Sequence, residues 1–381
     1  MFEEYLENKL SEIDGAGLLR KLRLISSNPS AKIIIGDKEY INFSSNNYLD
    51  LAGNEEINKA ASQAALQYGA GGASSRLVGG NFQVHKMLEG SLASFKNKKA
   101  CLVFPSGYQT NVGVISALAQ KSDNACIVMD KLNHASLWDG AKLSGCRIFV
   151  YEHCDMNSLE SVLKRTKDYK LKLAVTESVF SMDGDIAPLA QFARLCRNYG
   201  AVSMIDEAHC SGIFGKNGSG LDEEIGADAD IIIGTLSKAF GVQGGFVCGG
   251  QKLIDYLINK SRAFIYTTAI SPVIAAAALK SLEIIIKSDS KRKLLLSNAQ
   301  YLRDKLKSLG FDAGNSQTQI IPVITGSLSN TQRVADMLMK NGIFAPAIKP
   351  PTVPEGRSRI RISLTSAHTK EDLDKLIKEL K

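Results

Sequence analysis

At 381 residues, with 44% hydrophobic and 22% charged side chains, the chain has an ordinary globular composition and is long enough for two domains, or for one large domain with an appendage. Its net charge of +7 is diluted over 46 basic and 39 acidic residues, which excludes the concentrated basic face of a nucleic-acid binder while leaving the surface able to tolerate an acidic partner. The seven cysteines, at 101, 126, 146, 154, 196, 210 and 248, form no C-x-x-C pair and lie mostly in apolar stretches, so they read as core residues of a reducing compartment, and no metal site is expected.

In chain order, Phe2, Tyr5, Leu6, Leu10 and Ile13 recur at helical spacing until Gly15 and Gly17 stop the pattern, and a helix of this kind is expected to pack on something. The same segment is acidic and amphipathic, without a basic start or an apolar core, so it does not read as a secretion signal, and the protein is expected in the cytoplasm. Ala263 to Leu279, the most apolar uncharged stretch, is short for a bilayer span and is broken by Thr267, Thr268, Ser271 and Pro272, so no membrane partner is expected. Ile33–Ile35 and Tyr40–Phe43 flank Gly36-Asp37-Lys38 as a hairpin. The polar, turn-rich FSSNNYLD then leads to a helix over Glu55–Tyr68.

GAGGASSRLVGG, at 69–80, carries five glycines and suits either a close approach of backbone to a ligand or a plain flexible connection. A helical pattern runs from Val84 to Phe95. Strand-like runs follow at Cys101–Phe104, Cys126–Met129, Arg147–Tyr151, Leu173–Thr176, Ala201–Ile205 and Ile231–Ile233. Most are separated by segments long enough for crossover helices, which implies a largely parallel sheet covered on both faces. Beyond about Leu282 the character shifts to charged helices, one marked by Leu302, Leu306 and Leu309 and a last one opened by Thr369 and Asp372 as a capping box. Between these helices lie apolar runs at Ile320–Ile324 and Ile360–Leu364. The expected segmentation is an N-terminal helix and hairpin over 1–45, a large domain over 46–285 and a smaller α+β domain over 286–381.

Strand ends carry the chemistry. In an open α/β sheet ligands bind outside the carboxyl ends of the strands, where Asp206, His209 and Lys238 would stand together. DEAH at 206–209 spells the box of a nucleic-acid-dependent ATPase, but the G-x-x-x-x-G-K-[ST] phosphate loop that such a fold needs is missing, since Gly215-Lys216 is followed by Asn217. A lone lysine is most often a solvated surface group. Lys238, between an apolar strand and a run of small residues, stands where burial favours the neutral, nucleophilic amine. Ser106-Gly107-Tyr108 lies between a strand and a helix, where free N–H groups and the helix dipole bind a phosphate without a basic residue. His134, in NHAS, and Glu177 and Ser181, in TESVFSMDGD, follow strands of the same sheet.

A lysine, an acid to protonate a pyridine nitrogen, a flat side chain to stack on the ring and a helix start for a phosphate are together what a pyridoxal 5'-phosphate site requires. From GLLRKLR through FSSNNYL, the Ser106-Gly107-Tyr108 turn, NHAS, TESVFSMDGD, DEAH and GTLSKAFG to KPPTVPEGRSRIRISLTSAH, nearly the whole chain resembles the α-oxoamine synthases. The resemblance implies the α/β architecture of PLP-dependent transferase fold type I, with a mostly parallel sheet in the large domain and a smaller α+β C-terminal domain. It also implies roles for residues. Lys238 would be the Schiff-base lysine, Asp206 the pyridinium partner, His209 a donor to the ring oxygen and His134 the stacking base. Ser106, Gly107, Tyr108 and Thr235 would hold the phosphate, joined by Thr267 and Thr268 of a second copy in an obligate homodimer with active sites at the subunit interface. Ser181 would contact the ring-oxygen region. Arg361, with Asn47 near it, would take the substrate carboxylate, and Arg20, or its neighbour Arg23, would stand near the acyl thioester.

This chain departs from the family's pattern at Asp50, where glycine is usual, and at Cys210, where a smaller residue is usual, both in loops. Within the family, the resemblance at PPTVP, 350–354, and the SRIRISLTSAH that follows implies a decarboxylative Claisen condensation of L-alanine with a pimeloyl thioester, a step of biotin synthesis. Pimeloyl-CoA and pimeloyl-acyl carrier protein are both open as donors. The alternative is acetyl transfer from acetyl-CoA to glycine.

Overall fold

Gly36, at φ 60°, and Asp37 turn strand β1 (Lys32–Ile35) back on strand β2 (Lys38–Asn42), so the expected hairpin forms with a two-residue turn and with Lys38 already in the second strand. The computed structural model describes residues 1–381 and divides into two units, one of 1–45, 182–184 and 295–381, the other of 46–181 and 185–294. The N-terminal residues thus group with the C-terminal ones, and the chain changes unit within helix Asp289–Ser308, beyond the shift in composition near residue 286.

The larger unit holds a seven-stranded sheet of β3 (Ala100–Phe104), β4 (Ala125–Asp130), β5 (Arg147–Tyr151), β6 (Leu171–Glu177), β7 (Val202–Asp206), β8 (Ile231–Thr235) and β9 (Gly245–Gly249), in the order β3-β9-β8-β7-β6-β4-β5. Only β9 runs against the others, antiparallel to both β3 and β8. Glycines at 244, 245, 249 and 250 hide β9 from sequence patterning, and those within the strand are there for space. A Cβ on Gly245 would stand 2.6 Å from the Gly107 nitrogen. Every residue of β3, β4 and β8 is buried, as parallel strands with both faces covered must be.

Helix Gly107–Leu118 lies on this sheet although its sequence, GYQTNVGVISAL, is poor in strong helix formers. Packing holds it. Val114, Ile115 and Ala117 meet a core containing Phe104, Ile127, Met129, Ile233 and Val247, each at most 2% exposed, and each such large side chain contributes about 1.5–3 kcal/mol on burial. Because β3, β4, β6, β7 and β8 are mutually parallel, their carboxyl ends, Phe104, Asp130, Glu177, Asp206 and Thr235, emerge on one edge.

In the smaller unit, strand β10 (Ile320–Gly326), the two-residue strands β11 (Ile343–Phe344) and β12 (Ala347–Ile348), and β13 (Ser358–Ser363) complete the strand set. β13 pairs antiparallel with both β10 and β12, while β11 adds to β2 in parallel. Helix Leu328–Lys340 is capped by Ser327, whose side chain accepts from Asn330 N. Helix Lys370–Leu380 opens with the expected capping box, Thr369 N donating to Asp372 at 3.0 Å and Asp372 N to Thr369 Oγ1 at 3.2 Å. Helix Phe2–Gly15 forms as its spacing requires, but no residue of it is buried, and Phe2 and Leu10 remain 71% and 54% exposed. Within the single chain its apolar stripe is therefore left uncovered. The Gly17 turn at φ 69° sends the chain onward to an isolated bridge between Ile25 and Ile35 rather than back over the helix.

One buried ion pair fixes the turn after β7. Lys96, at the end of helix Gln83–Phe95, reaches Glu207 Oε2 at 2.6 Å and Ser211 Oγ at 2.7 Å and also bonds Ser219 O, while Glu207 Oε1 accepts Asp222 N at 2.8 Å. Both side chains are 2% exposed or less. Burial alone would favour neutral Lys96, but the Glu207 carboxylate outweighs it and raises the lysine above its ordinary value. Lys96→Met therefore leaves an uncompensated buried carboxylate and is expected to cost about 3–5 kcal/mol in urea unfolding. The double variant Lys96→Met/Glu207→Gln should recover part of that loss, and a single-variant cost near zero would show that Glu207 does not need its cation.

Candidate active site

Helix Gly107–Leu118 starts immediately past the carboxyl end of β3, and its first-turn N–H groups have no intrahelical acceptor. Ser106 caps it by accepting Gln109 N at 3.1 Å, which leaves the amides of Gly107 and Tyr108 at the mouth of a cavity of about 250 Å³. A Cβ on Gly107 would stand 3.1 Å from Thr235 Oγ1, so the bare backbone lets the ends of β3 and β8 close to a narrow cradle. The exposed hydroxyl of Tyr108 donates to Asp139 on the next helix.

The wall and floor of the cavity form one hydrogen-bonded network. Asn111 Nδ2 donates to Asp206 Oδ2 at 2.7 Å and to Ser136 Oγ at 2.9 Å, and Ser136 Oγ lies 2.8 Å from His134 Nδ1. Asp206 Oδ1 accepts Ala208 N at 2.9 Å. Two neutral donors and no cation thus fix the carboxylate, which keeps lone pairs free for the cavity. The His134 ring opens on the cavity yet is surrounded by protein. Burial lowers its pKa, Asp206 opposing and Lys238 assisting, so the ring stands neutral with Nδ1 accepting Ser136 N at 3.2 Å. Glu177, at the end of β6, accepts His134 N at 2.6 Å. Burial first, and the Asp206 charge second, push Glu177 well above the carboxylate range, favouring its neutral acid.

Lys238 belongs to the loop between β8 and β9, held by Leu236 N to Gly244 O at 2.9 Å and by Gly241 N to Lys238 O at 2.9 Å. Gly241 takes φ 68°, and a Cβ there would meet the Ala52 nitrogen at 2.5 Å. Lys238 Nζ lies 2.9 Å from His209 Nε2, whose Nδ1 lies 2.7 Å from Tyr48 Oη, which in turn donates to Asn46 Oδ1 at 3.1 Å. The His209 ring thus bridges Lys238 and Tyr48, and which of its two nitrogens donates follows from which partner offers a proton.

Nine residues singled out by sequence, Ser106, Gly107, Tyr108, His134, Glu177, Asp206, His209, Thr235 and Lys238, therefore line one cavity. The others lie elsewhere. Ser181 is half-buried in the turn after β6, outside the cavity lining. Thr267 and Thr268 line a separate recess with Ser75, Leu77, Val78, Ile265 and Tyr266. Asn47 is buried and accepts Leu51 N at 2.9 Å and Ala52 N at 3.2 Å, shaping a turn in which Asp50 takes φ 53°, the left-handed region a glycine would favour. Arg361 is buried on β13 of the smaller unit, 3.4 Å from Ser363 Oγ. Also in that unit, Arg20 and Arg23 line a recess of about 760 Å³ with Lys21, Lys349 and the apolar Leu22 and Ile348.

Sequence reasoning missed Asn111, Ser136, Ser237 and Tyr48. Asn111 stands four residues after Gly107, on the same helix face, and that spacing could have found it. Ser136 and Ser237 are short-range neighbours of His134 and Lys238. Tyr48 has no local signal, being 161 residues from His209.

The cavity fits pyridoxal phosphate in its donor chemistry: an anion cradle at the helix start, a carboxylate with open lone pairs, a neutral planar ring and a lysine. The buried Asn111 Oδ1, which has no hydrogen-bond partner in the protein, adds an unmet acceptor beside it. Comparison with known proteins agrees. The model of the family Aminotransferase class I and II matches residues 38–380. The chain is 44% identical to 8-amino-7-oxononanoate synthase of Thermoanaerobacter pseudethanolicus over 378 residues, 98% of this chain and 95% of that one. It is also 44% identical to the synthase of that name from Lysinibacillus sphaericus over 375 residues, 98% and 96% of the two chains. Among solved structures, serine palmitoyltransferase of S. paucimobilis with bound PLP–myriocin superposes with a TM-score of 0.91 at 28% identity, covering 98% of this chain and 95% of the other. The chain belongs to the aminotransferase class I and II family, with the PLP-dependent transferase fold type I, and within it to the α-oxoamine synthases, whose cofactor is pyridoxal 5'-phosphate.

Proposed function

We propose that this chain is an acyltransferase that condenses L-alanine with a pimeloyl thioester, releasing CO2 and the free thiol and forming 8-amino-7-oxononanoate for biotin synthesis. The convergence of Lys238, Asp206, His209 and His134 with a helix start in one cavity carries the reading of the chemistry, and the 44% identity to synthases of that name supports the choice of substrate. The DEAH spelling acquires another reading here, because Glu207 is committed to Lys96 in the interior.

Pyridoxal phosphate, when bound, supplies the electron sink for negative charge developing at the alanine Cα. The protein's own groups do the rest. The amides of Gly107 and Tyr108, with Ser106 and Thr235, hold the phosphate, and Asp206 keeps the proton on the pyridine nitrogen. His134 covers one ring face, and its neutrality avoids a second cation against a protonated ring. His209 donates to the ring oxygen. Lys238 carries the cofactor at rest and then, as a free amine, removes the Cα proton and later returns one. By the family resemblance, Ser181 would contact the ring-oxygen region, and Arg361 would take the alanine carboxylate. The recess of Arg20, Lys21, Arg23 and Lys349 pairs cations with apolar walls, which suits a methylene chain bearing anionic ends.

Lys238→Ala should fold, bind cofactor and lose turnover by on the order of 10²–10⁴-fold or more. Borohydride reduction of the wild-type holoenzyme, followed by peptide mapping, should tag Lys238, and a tag on another lysine would reject the assignment.

Substrate choice is read by offering alanine, glycine and serine, each with pimeloyl-CoA and with acetyl-CoA, while following thiol and CO2 release. Alanine with pimeloyl-CoA should give the highest kcat/KM. Release only from glycine with acetyl-CoA would replace this reading by the acetyltransferase.

The proposal includes a homodimer in the cytoplasm, with Thr267 and Thr268 serving the cofactor phosphate of the second copy. Leu77, Val78 and Tyr266, which line the recess around the two threonines, are 52%, 85% and 72% exposed in the single chain, an apolar surface suited to burial by another subunit. The mass in solution should be that of a dimer, and Val78→Asp/Tyr266→Glu should lower both dimer fraction and cofactor retention. A fully active wild-type monomer would contradict this part.

A further inference from the structure

Beside the cavity, at the carboxyl ends of β4, β5 and β6, lies a charged cluster that the chemistry above does not use. His153, just past β5, points Nδ1 at Asp130 Oδ1, 2.9 Å away, and Nε2 at Asp185 Oδ2, 2.7 Å away. Its ring meets the Phe180 ring edge-on, with centroids 4.3 Å apart. A neutral imidazole has one N–H and one lone pair, so between two carboxylates one nitrogen would face oxygen lone pairs with nothing to share. Both bonds form only if both nitrogens are protonated. Burial disfavours that cation, but the two carboxylates outweigh burial and hold His153 up at about 12.

What the cation ties together is specific. Asp130, fully buried, also accepts Leu132 N at 2.8 Å and Cys154 N at 2.9 Å, which sets the turn running from the end of β4 through Asn133 to His134. That turn is then fastened across the sheet by Asn133 Nδ2 to Val175 O at 3.0 Å and by His134 N to Glu177. Asp185 closes the other turn. Phe180 N donates to its carbonyl at 3.2 Å, Ala187 N donates to Ser178 O at 3.1 Å, and Val179 pairs with Ile186. One imidazolium therefore joins the segment bearing His134 to the segment that follows Glu177.

We propose that His153, bridging Asp130 and Asp185, is a positioning residue for the reaction: it fixes the His134 face and the Glu177 end of the cofactor cavity relative to each other. The inference rests on the functional reading of that cavity. Asp130, His153 and Cys154 also come within metal-ligand spacing of one another, but both ring nitrogens are already committed to carboxylates, which favours a proton over a metal ion in this place.

The groups facing His153 are Asp130, Asp185 and Cys154. Its folded value lies above the unfolded value near 6.5, so the stability it contributes is complete below about pH 6.5 and is lost only as pH rises toward 12. The bridge should therefore hold unchanged across the working pH range.

The test uses the holoenzyme. In protein labelled with ¹⁵N-histidine, both His153 nitrogens should show imidazolium shifts at pH 8, and a neutral tautomer there would overturn the proposal. His153→Gln can donate to only one carboxylate. It should lower kcat by about 10–100-fold, the scale of a sub-ångström to 1 Å misplacement of the site, and should change the induced circular dichroism of the bound cofactor. Leu163→Ala, in the buried face of helix Met156–Arg165, serves as a control of reduced stability and should leave that signal intact. If His153→Gln loses stability like the control while keeping kcat and the cofactor signal, the residue is structural only and the proposal fails. Stoichiometric metal in the purified enzyme, lost together with activity on chelation, would equally reject it. Failure of the cofactor assignment itself would appear separately, as no cofactor signal in the wild type.

Discussion

A parallel sheet delivers all its carboxyl ends to one edge, and everything chemical in this protein depends on that constraint. Past the last ladder bond, each chain must turn with backbone groups that no neighbouring strand can satisfy. At the ends of β3, β4, β6, β7 and β8 those groups are taken by side chains that then have a second face to offer. Ser106 caps a helix and borders an anion cradle, Asp206 accepts a backbone amide and keeps lone pairs free, and Glu177 accepts the His134 amide from the next turn. The site is a by-product of satisfying strand ends, and the fold places it where it must be.

The cavity is also a problem in charge management. Asp206, Glu177, His134, His209 and Lys238 share about 250 Å³, and a full complement of charges there would be costly to desolvate. The structure resolves this by letting two members go neutral. Burial and the Asp206 charge push Glu177 toward its acid form, and burial keeps His134 uncharged. That leaves Asp206, the group whose carboxylate a protonated pyridine nitrogen requires, with two neutral neighbours in the cavity. Outside the cavity the opposite solution is used. Lys96 with Glu207, and His153 with Asp130 and Asp185, are paired ions in the interior that anchor the turns from behind.

Residues that look out of place in the sequence become intelligible from local geometry. Asp50 occupies a left-handed position in a turn stabilised by Asn47, and a short polar side chain tolerates that conformation at modest cost. Cys210 is completely buried and accepts a hydrogen bond from Ser178 Oγ at 3.1 Å, so its sulfur fills space under the turn after β7 without reaching the cavity.

The sequence by itself determined the strands that are buried on both faces, because Ala125–Asp130 or Ile231–Thr235 has no polar face to show to solvent, and it determined the helices whose apolar spacing and caps are local, such as Glu55–Tyr68 and Lys370–Leu380. It also marked the strand-end residues Asp206, His209, Glu177 and Lys238, since chemistry-bearing residues after apolar runs are visible without a fold. What the sequence could not decide was partnership across distance. β9 was concealed by glycines whose purpose is the close approach of helix Gly107–Leu118 and of the Phe104 and Thr235 ends. Tyr48 for His209, Asn111 for Asp206 and His153 for Asp185 are contacts between segments 161, 95 and 32 residues apart. Local spacing encodes which face a side chain takes, whereas the partner on that face is fixed only when strand order brings distant ends to the same edge, so those pairings belonged to the tertiary structure alone.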